Sequence, residues 1–146
     1  MQQIGPRFGV AWPLLNGLFM RLLVVWRRAF DGDIEKAIIF AAVIDKAAAR
    51  PGFSSLDYAA FLSNGHEHAA APATTVQAIA EATGIPRETV RRKVNDLIAR
   101  GVLARDGDGA LRLSPDGLDG LDPTMRETAI AVERAIDDLG AALGRS

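Results

Sequence analysis

Seven residues in the second half of the chain, Gly84-Ile85-Pro86-Arg87-Glu88-Thr89-Val90, constrain the fold more than any others. Glycine admits the positive φ of a sharp corner. Proline suits the threshold of a helix, where a backbone N–H has no partner in any case. Before the corner, Val76, Ile79, Ala80 and Ala82 recur at helical spacing. Thr74 or Thr75 is placed to cap that helix, with Gln77 positioned to close a capping box from Thr74. After the corner, Val90, Val94, Leu97 and Ile98 mark the inner stripe of a second helix over 87–100, which Gly101 stops.

Two short alternating runs follow, Val102-Leu103-Ala104-Arg105 and Ala110-Leu111-Arg112-Leu113. They flank Asp106-Gly107-Asp108-Gly109, which is turn chemistry. Leu103, Leu111 and Leu113 are expected to point inward, Arg105 and Arg112 outward or toward the turn. Helix, corner, helix and hairpin over 74–113 make the layout of a winged helix-turn-helix. The fold class is therefore mainly α with a small β-hairpin wing, carried between N- and C-terminal helices.

Those flanks read as follows. Residues 1–13 read as irregular. From 14 to 30 the apolar residues fall at Leu15, Leu18, Phe19, Leu22, Leu23, Trp26 and Phe30, a broad helical stripe. The run 8–26 is long enough for a membrane span, but Pro13, Asn16, Gly17 and Arg21 interrupt it, and the expectation is no membrane partner. Asp31-Gly32-Asp33 breaks this helix and caps the next, 34–49, whose inner face is expected at Ile34, Ala37, Ile38, Ala41, Ala42 and Ile44. Ser54 and Asp57 form a reciprocal capping pair before a short helix that buries Tyr58, Phe61 and Leu62. Residues 64–73 read as a loop. His66 and His68 stand two apart, do not share a helix face and lack further ligands, so no metal is expected. Residues 114–121 read as a Gly/Pro/Asp linker. Asp122 then caps a last helix with Pro123 in its first position. Its apolar residues, Met125, Ala129, Val132, Ile136, Leu139 and Leu143, alternate by four and three, which is an association seam.

The chain of 146 residues has no cysteine and two histidines, which excludes disulfides, thiol catalysis and Cys-ligated zinc. No catalytic constellation or cofactor motif is visible, so no enzyme and no cofactor are expected. The net charge is −1, yet 84–113 holds seven basic and four acidic residues, a local charge of +3. That is a basic module on an acidic body, suited to local contact with a polyanion.

A helix fits the major groove of double-stranded DNA, and residues near its N-terminus meet base edges there. Arg87, Thr89, Arg91 and Arg92 lie in the first two turns of the second helix. Arginine engages guanine or phosphate with its fork, and threonine suits phosphate. Glu88 and Asn95 have the chemistry to read cytosine or adenine. Thr75 opens the first helix, and Arg105 and Arg112 flank the wing. The plain reading of the same face is a solvated surface held by an i,i+4 pair, Glu88 with Arg92.

ATGIPRETVRRKVNDLIARGVLARD resembles the helix-turn-helix core of bacterial winged-helix regulators of the MarR, GntR and ArsR type. In those families a turn of the kind LGVSRxTV precedes the recognition helix. By this resemblance Arg87, Thr89 and Arg91 inherit DNA contact, while Pro86 stands where a serine cap is usual. The terminal helices are similar in placement to those of MarR-type dimers.

The resulting expectation is a cytoplasmic, sequence-specific transcriptional regulator that binds DNA as a homodimer. Helix 87–100 would enter the major groove, and wing 103–113 would lie on the adjacent backbone or minor groove. Dimerisation falls to Leu15, Leu18, Leu22, Trp26, Met125, Val132, Ile136, Leu139 and Leu143. The organisation is 1–52 as core support and dimerisation, 53–73 as a short helix and loop, 74–113 as the DNA-binding unit, and 114–146 as linker and association helix. A small-molecule effector of unknown kind fits between apolar helices. The alternative is a winged-helix protein-interaction module that does not bind DNA.

Overall fold

A computed structural model describes residues 2, 4–63, 72–114 and 116–144. The loop with His66-Glu67-His68 lies outside them. The chain is mainly helical with one two-stranded antiparallel hairpin, as the sequence pattern requires. It divides into two compact units, Asp33–Asp122 and Met1–Gly32 with Pro123–Ser146.

In the unit Asp33–Asp122, helix α2 is Ile34–Ala48, α3 is Tyr58–Ser63, α4 is Val76–Thr83 and α5 is Arg87–Ala99. Strand β1 is Leu103–Arg105 and β2 is Leu111–Leu113, with Leu103 opposite Leu113. Helix α2 packs against α4, α5 and β2. Asp33 caps it, accepting from Lys36 N at 3.3 Å. Its buried residues are Ala37, Ile39, Phe40, Val43 and Ala47, whereas Ile38 is 42% exposed and Ala41 is on the surface. The inner face is therefore rotated from the expected one. Helix α2 is apolar nearly all round, so periodicity leaves its phase open, and the bulk of Phe40 turned inward sets it.

The short third helix is capped by Asp57, which accepts from Ala60 N at 2.8 Å, and Phe53–Ser55 forms a separate 3-10 turn. The capping pair of Ser54 with Asp57 does not form this start. Tyr58, Phe61 and Leu62 are half-buried. The Tyr58 hydroxyl donates to Asp122 Oδ1 at 2.6 Å.

Thr75 caps α4, accepting from Ala78 N at 3.1 Å. Gln77 instead donates to Glu81 Oε1 at 2.6 Å, one turn along, so the capping box does not form. Thr74 is held elsewhere: its N–H and C=O pair with Leu111 at 3.0 and 2.8 Å, adding an edge to the hairpin. Gly84 ends α4 with φ 73° and donates to Ala80 O at 2.9 Å. A side chain in that left-handed conformation costs about 1 kcal/mol, which is why glycine stands at the corner. Val90, Val94, Leu97, Leu103, Leu111 and Leu113 are buried, so helix and wing share one core.

The stretch expected as a linker is packed. Leu118 and Leu121 are 1% and 4% exposed, and Asp119–Leu121 is a 3-10 turn. Gly117 lies so close to Val102 that a Cβ there would stand 2.4 Å from the Val102 carbonyl oxygen. Composition signalled a loop because Gly, Asp and Ser dominate it, but two leucines one turn apart anchor it.

In the other unit, α1 is Phe8–Ala29 and α6 is Asp122–Ala142. Helix α1 starts six residues earlier than the periodicity indicated, with Pro13 inside it. Pro13 lacks the N–H that would bond to Gly9 O, and 22 residues of helix absorb that loss. Asp122 is already helical, with φ −50° and ψ −47°, so it is the first helical residue rather than a cap. The two helices run antiparallel. Arg28 Nη2 meets Glu127 Oε2 at 2.8 Å near one end, and Arg7 Nη1 donates to Ala142 O at 2.9 Å near the other. Ala11 and Val25 are buried on α1, Ala131 and Ala135 on α6. Residues Gly5–Ala29 are long and apolar enough, by length and composition, to cross a membrane.

Candidate nucleic-acid interface

Helix α5 presents a polar face because its apolar residues are used on the other side. Val90, Lys93, Val94 and Leu97 are buried, and Glu88, Arg91, Arg92 and Asn95 are exposed on the opposite face. Arg87 is exposed at the first turn, while Thr89 is half-buried on the flank. Ile98 is half-buried at the edge of the stripe rather than inside it. Pro86 is the cap residue and contributes no side-chain bond.

The exposed face is ordered by one bidentate ion pair. Arg91 Nε donates to Glu88 Oε2 at 2.9 Å and Nη2 to Oε1 at 2.6 Å. The hydrogen bond from Arg91 holds the Glu88 carboxyl below the usual carboxylate range, and the same bond pushes the Arg91 guanidinium up. Glu88 thus pairs three residues along rather than four. Among the described residues, Arg87 and Arg92 have no acidic partner within ion-pair distance, although Glu88 also feels the Arg92 charge.

The wing is linked to this face. Arg105 Nη2 lies 3.4 Å from Asn95 Oδ1, and its Nη1 lies 3.4 Å from Gly109 O. Both are long bonds, open to exchange for a better acceptor. Arg112 Nε donates to Asp106 Oδ2 at 2.7 Å across the hairpin. Arg105 is therefore the exposed wing cation nearest the helix face, and Arg112 is half-buried beside a carboxylate.

Thr75, the cap of α4, is exposed, and its hydroxyl already accepts a backbone bond. Its hydroxyl proton remains to donate.

Lys93 departs from the other basic residues of α5. It is 8% exposed, forms a close ion pair with Asp33 and lies 3.2 Å from Glu35. Lys36 meets Asp96 at 3.1 Å nearby. Burial favours the neutral lysine, but the hydrogen bonds it donates to Asp33 and Glu35 outweigh that and raise the Lys93 pKa. Burial likewise opposes the Asp33 charge, and the bonds from Lys93 and from Lys36 N leave its pKa lowered. These five charges hold the helix against α2 and are absent from the sequence-based set. The signal was available, because Lys93 falls in phase with Val90, Val94 and Leu97.

On α1, Leu15, Leu18, Leu22 and Trp26 are half-buried. On α6, Met125, Val132, Leu139 and Leu143 are half-buried and Ile136 is 63% exposed.

A helix-turn-helix with its polar second helix outward, a hairpin beside it and arginines on both defines the winged helix-turn-helix class. Residues 68–107 match the family model of the IclR helix-turn-helix domain. The match covers a little over a quarter of the chain and includes both helices and the first strand. It supports a DNA-binding transcriptional regulator of the winged type. IclR is a different family from MarR, GntR and ArsR, so the match supports a bacterial winged helix-turn-helix regulator and not that subgroup. No curated protein and no solved structure matches the chain.

Proposed function

We propose that this protein is a cytoplasmic, sequence-specific regulator that binds double-stranded DNA as a homodimer. Helix α5 enters the major groove, and the wing follows the adjacent backbone or minor groove. The observation that carries this is the outward face of α5. Glu88, Arg91, Arg92 and Asn95 are exposed together, with Arg87 at the helix start and Arg105 beside Asn95. Within the unit matched to a DNA-binding domain, this is the surface with groove-reading chemistry. Arg87 and Arg92 are assigned to phosphates, Arg91 and Asn95 to bases, and Thr75 and the wing arginines to the flanking backbone.

The homodimer rests on α1 and α6. Phe8, Trp12, Leu15, Phe19, Leu22 and Trp26 alternate by four and three along α1, the same rhythm as the seam of α6. In each helix the seam lies about a quarter-turn beyond the residues that pack the pair together. Because the helices are antiparallel, equal offsets of one sign bring both seams to the same side. The other side carries Arg21, Arg134 and Asp138 around a cavity of about 250 Å³. Charged α6 bonded along α1 at both ends favours a protein partner over lipid for this pair. A second copy of the pair covers the apolar side as a four-helix bundle.

The test is enrichment of genomic fragments by the full chain, followed by sequencing. Enrichment of a near-palindrome with half-sites about one DNA turn apart is the expected result. No enriched sequence, together with a stable protein complex, favours the interaction-module reading.

A further inference from the structure

The Glu88–Arg91 pair carries a consequence for which base is read. We propose that Glu88 is a specificity-determining residue that restricts Arg91 to guanine; the inference rests on the DNA-binding reading above.

A guanidinium has five N–H groups arranged on three edges. Glu88 takes the side edge, one hydrogen on Nε and one on Nη2. Three hydrogens remain, one on Nη2 and two on Nη1. One hydrogen on each Nη forms the end-on fork at the tip of the side chain. That fork matches the O6 and N7 acceptors of guanine in the major groove. The side edge, which is the other bidentate grip for a phosphate, is occupied.

The carboxylate acts a second way. It lies within hydrogen-bonding distance of the guanidinium, so any pose that brings a phosphate against Arg91 also brings it near the Glu88 charge. Arg92 feels the Glu88 charge through space but has no hydrogen bond to it, Arg87 has no carboxylate within ion-pair distance among the described residues, and Lys93 is engaged by Asp33 and Glu35. Among the basic residues of α5's first two turns, one arginine is held by a carboxylate and two are not. The held one reads sequence, and the other two supply affinity that does not depend on sequence. A glutamate in the first turn is also favoured by the helix dipole. That effect alone predicts no change in base preference when the charge is removed and the shape kept.

The experiment selects sites from a randomised DNA pool with full-length wild-type protein, Glu88→Gln and Arg91→Ala. Affinity for a selected site and for an unrelated duplex is then measured across a salt series. Both residues are exposed, and a thermal melt of each variant verifies folding. In wild type one position of each half-site should be guanine. Arg91→Ala should lose that guanine and keep the other positions. Glu88→Gln should reduce the preference for it about tenfold, raise affinity for the unrelated duplex severalfold, and steepen its salt dependence by about one ion. An unchanged guanine preference with unchanged affinity for unrelated DNA in Glu88→Gln overturns the proposal and leaves the DNA-binding reading intact. Loss of a cytosine preference in its place also overturns it, because Glu88 would then read a base itself. A wild-type protein that enriches no sequence overturns both.

Discussion

Lys93, on the face of α5 that turns away from solvent, is ion-paired with Asp33, the residue that caps α2. One carboxylate therefore starts one helix and anchors another. Glu35 at 3.2 Å supports the same ammonium, and Lys36 reaches Asp96 on the next turn of α5. These ion pairs tie α5 to the start of α2. Replacing Lys93 by Met should lower stability by about 1–2 kcal/mol, less than for a wholly buried pair because Asp33 and Glu35 stay partly solvated. Denaturant unfolding reads this directly, and an unchanged midpoint would remove the pair from the account.

The same pair sets a pH window. The Asp33 pKa is lowered on folding, so its contribution is present above the unfolded value of about 3.9 and is lost as pH falls through the lower folded value. The Lys93 pKa is raised, so its contribution is present below the unfolded value of about 10.4 and is lost as pH rises through the higher folded value. Between those limits the pair contributes a constant amount. In a comparison of melts, wild type minus Lys93→Met should be flat from about pH 5 to pH 9 and shrink outside that range. A difference that varied steadily across neutral pH would contradict the assignment.

Gly117 tests the packed segment after the wing. Ala at 117 drives a methyl into the Val102 backbone and should cost about 1–3 kcal/mol. Gly107 at the wing tip meets nothing within 4 Å, so Gly107→Ala is the matched control with little expected effect. Equal stability of the two variants would show that 114–121 is not anchored as described.

The apolar side of the α1/α6 pair gives a prediction on assembly. Phe19 and Ile136 are 61% and 63% exposed and sit in the two seams. Phe19→Glu and Ile136→Glu should each weaken or abolish the dimer in analytical ultracentrifugation while leaving the helix content unchanged by circular dichroism. A dimer equally tight in both variants would place the interface elsewhere.

The helix-turn-helix was legible because several local signals agree. Gly84 needs a positive φ, Pro86 needs a helix threshold, and Val90, Val94 and Leu97 fix one phase. The wing followed from Leu103, Leu111 and Leu113 around a DGDG turn. Other features depend on contacts that spacing does not encode. The phase of α2 was ambiguous because Ile38, Ile39, Phe40 and Val43 offer apolar groups on every side. The start of α1 was hidden by Pro13, and the packing of Leu118 and Leu121 by the glycines around them. On the candidate interface, the outward face of α5 was readable, but the pairings were not. Glu88 chose Arg91 over Arg92, and Lys93 joined Asp33 sixty residues away. The number of basic residues on α5 overstated what is available to DNA, since one of them is buried.

Whether α5 meets DNA through its outward arginines is read by a salt titration of binding to a selected site. Wild type, Arg91→Ala and Arg92→Ala are compared by fluorescence anisotropy from 50 to 200 mM salt, a range in which phosphate contacts dominate the slope. Arg92→Ala should weaken binding to cognate and unrelated DNA alike and lower the salt slope by about one ion. Arg91→Ala should lose about 1–3 kcal/mol on the cognate site alone. Affinities and slopes indistinguishable from wild type in both variants would contradict DNA contact through these arginines.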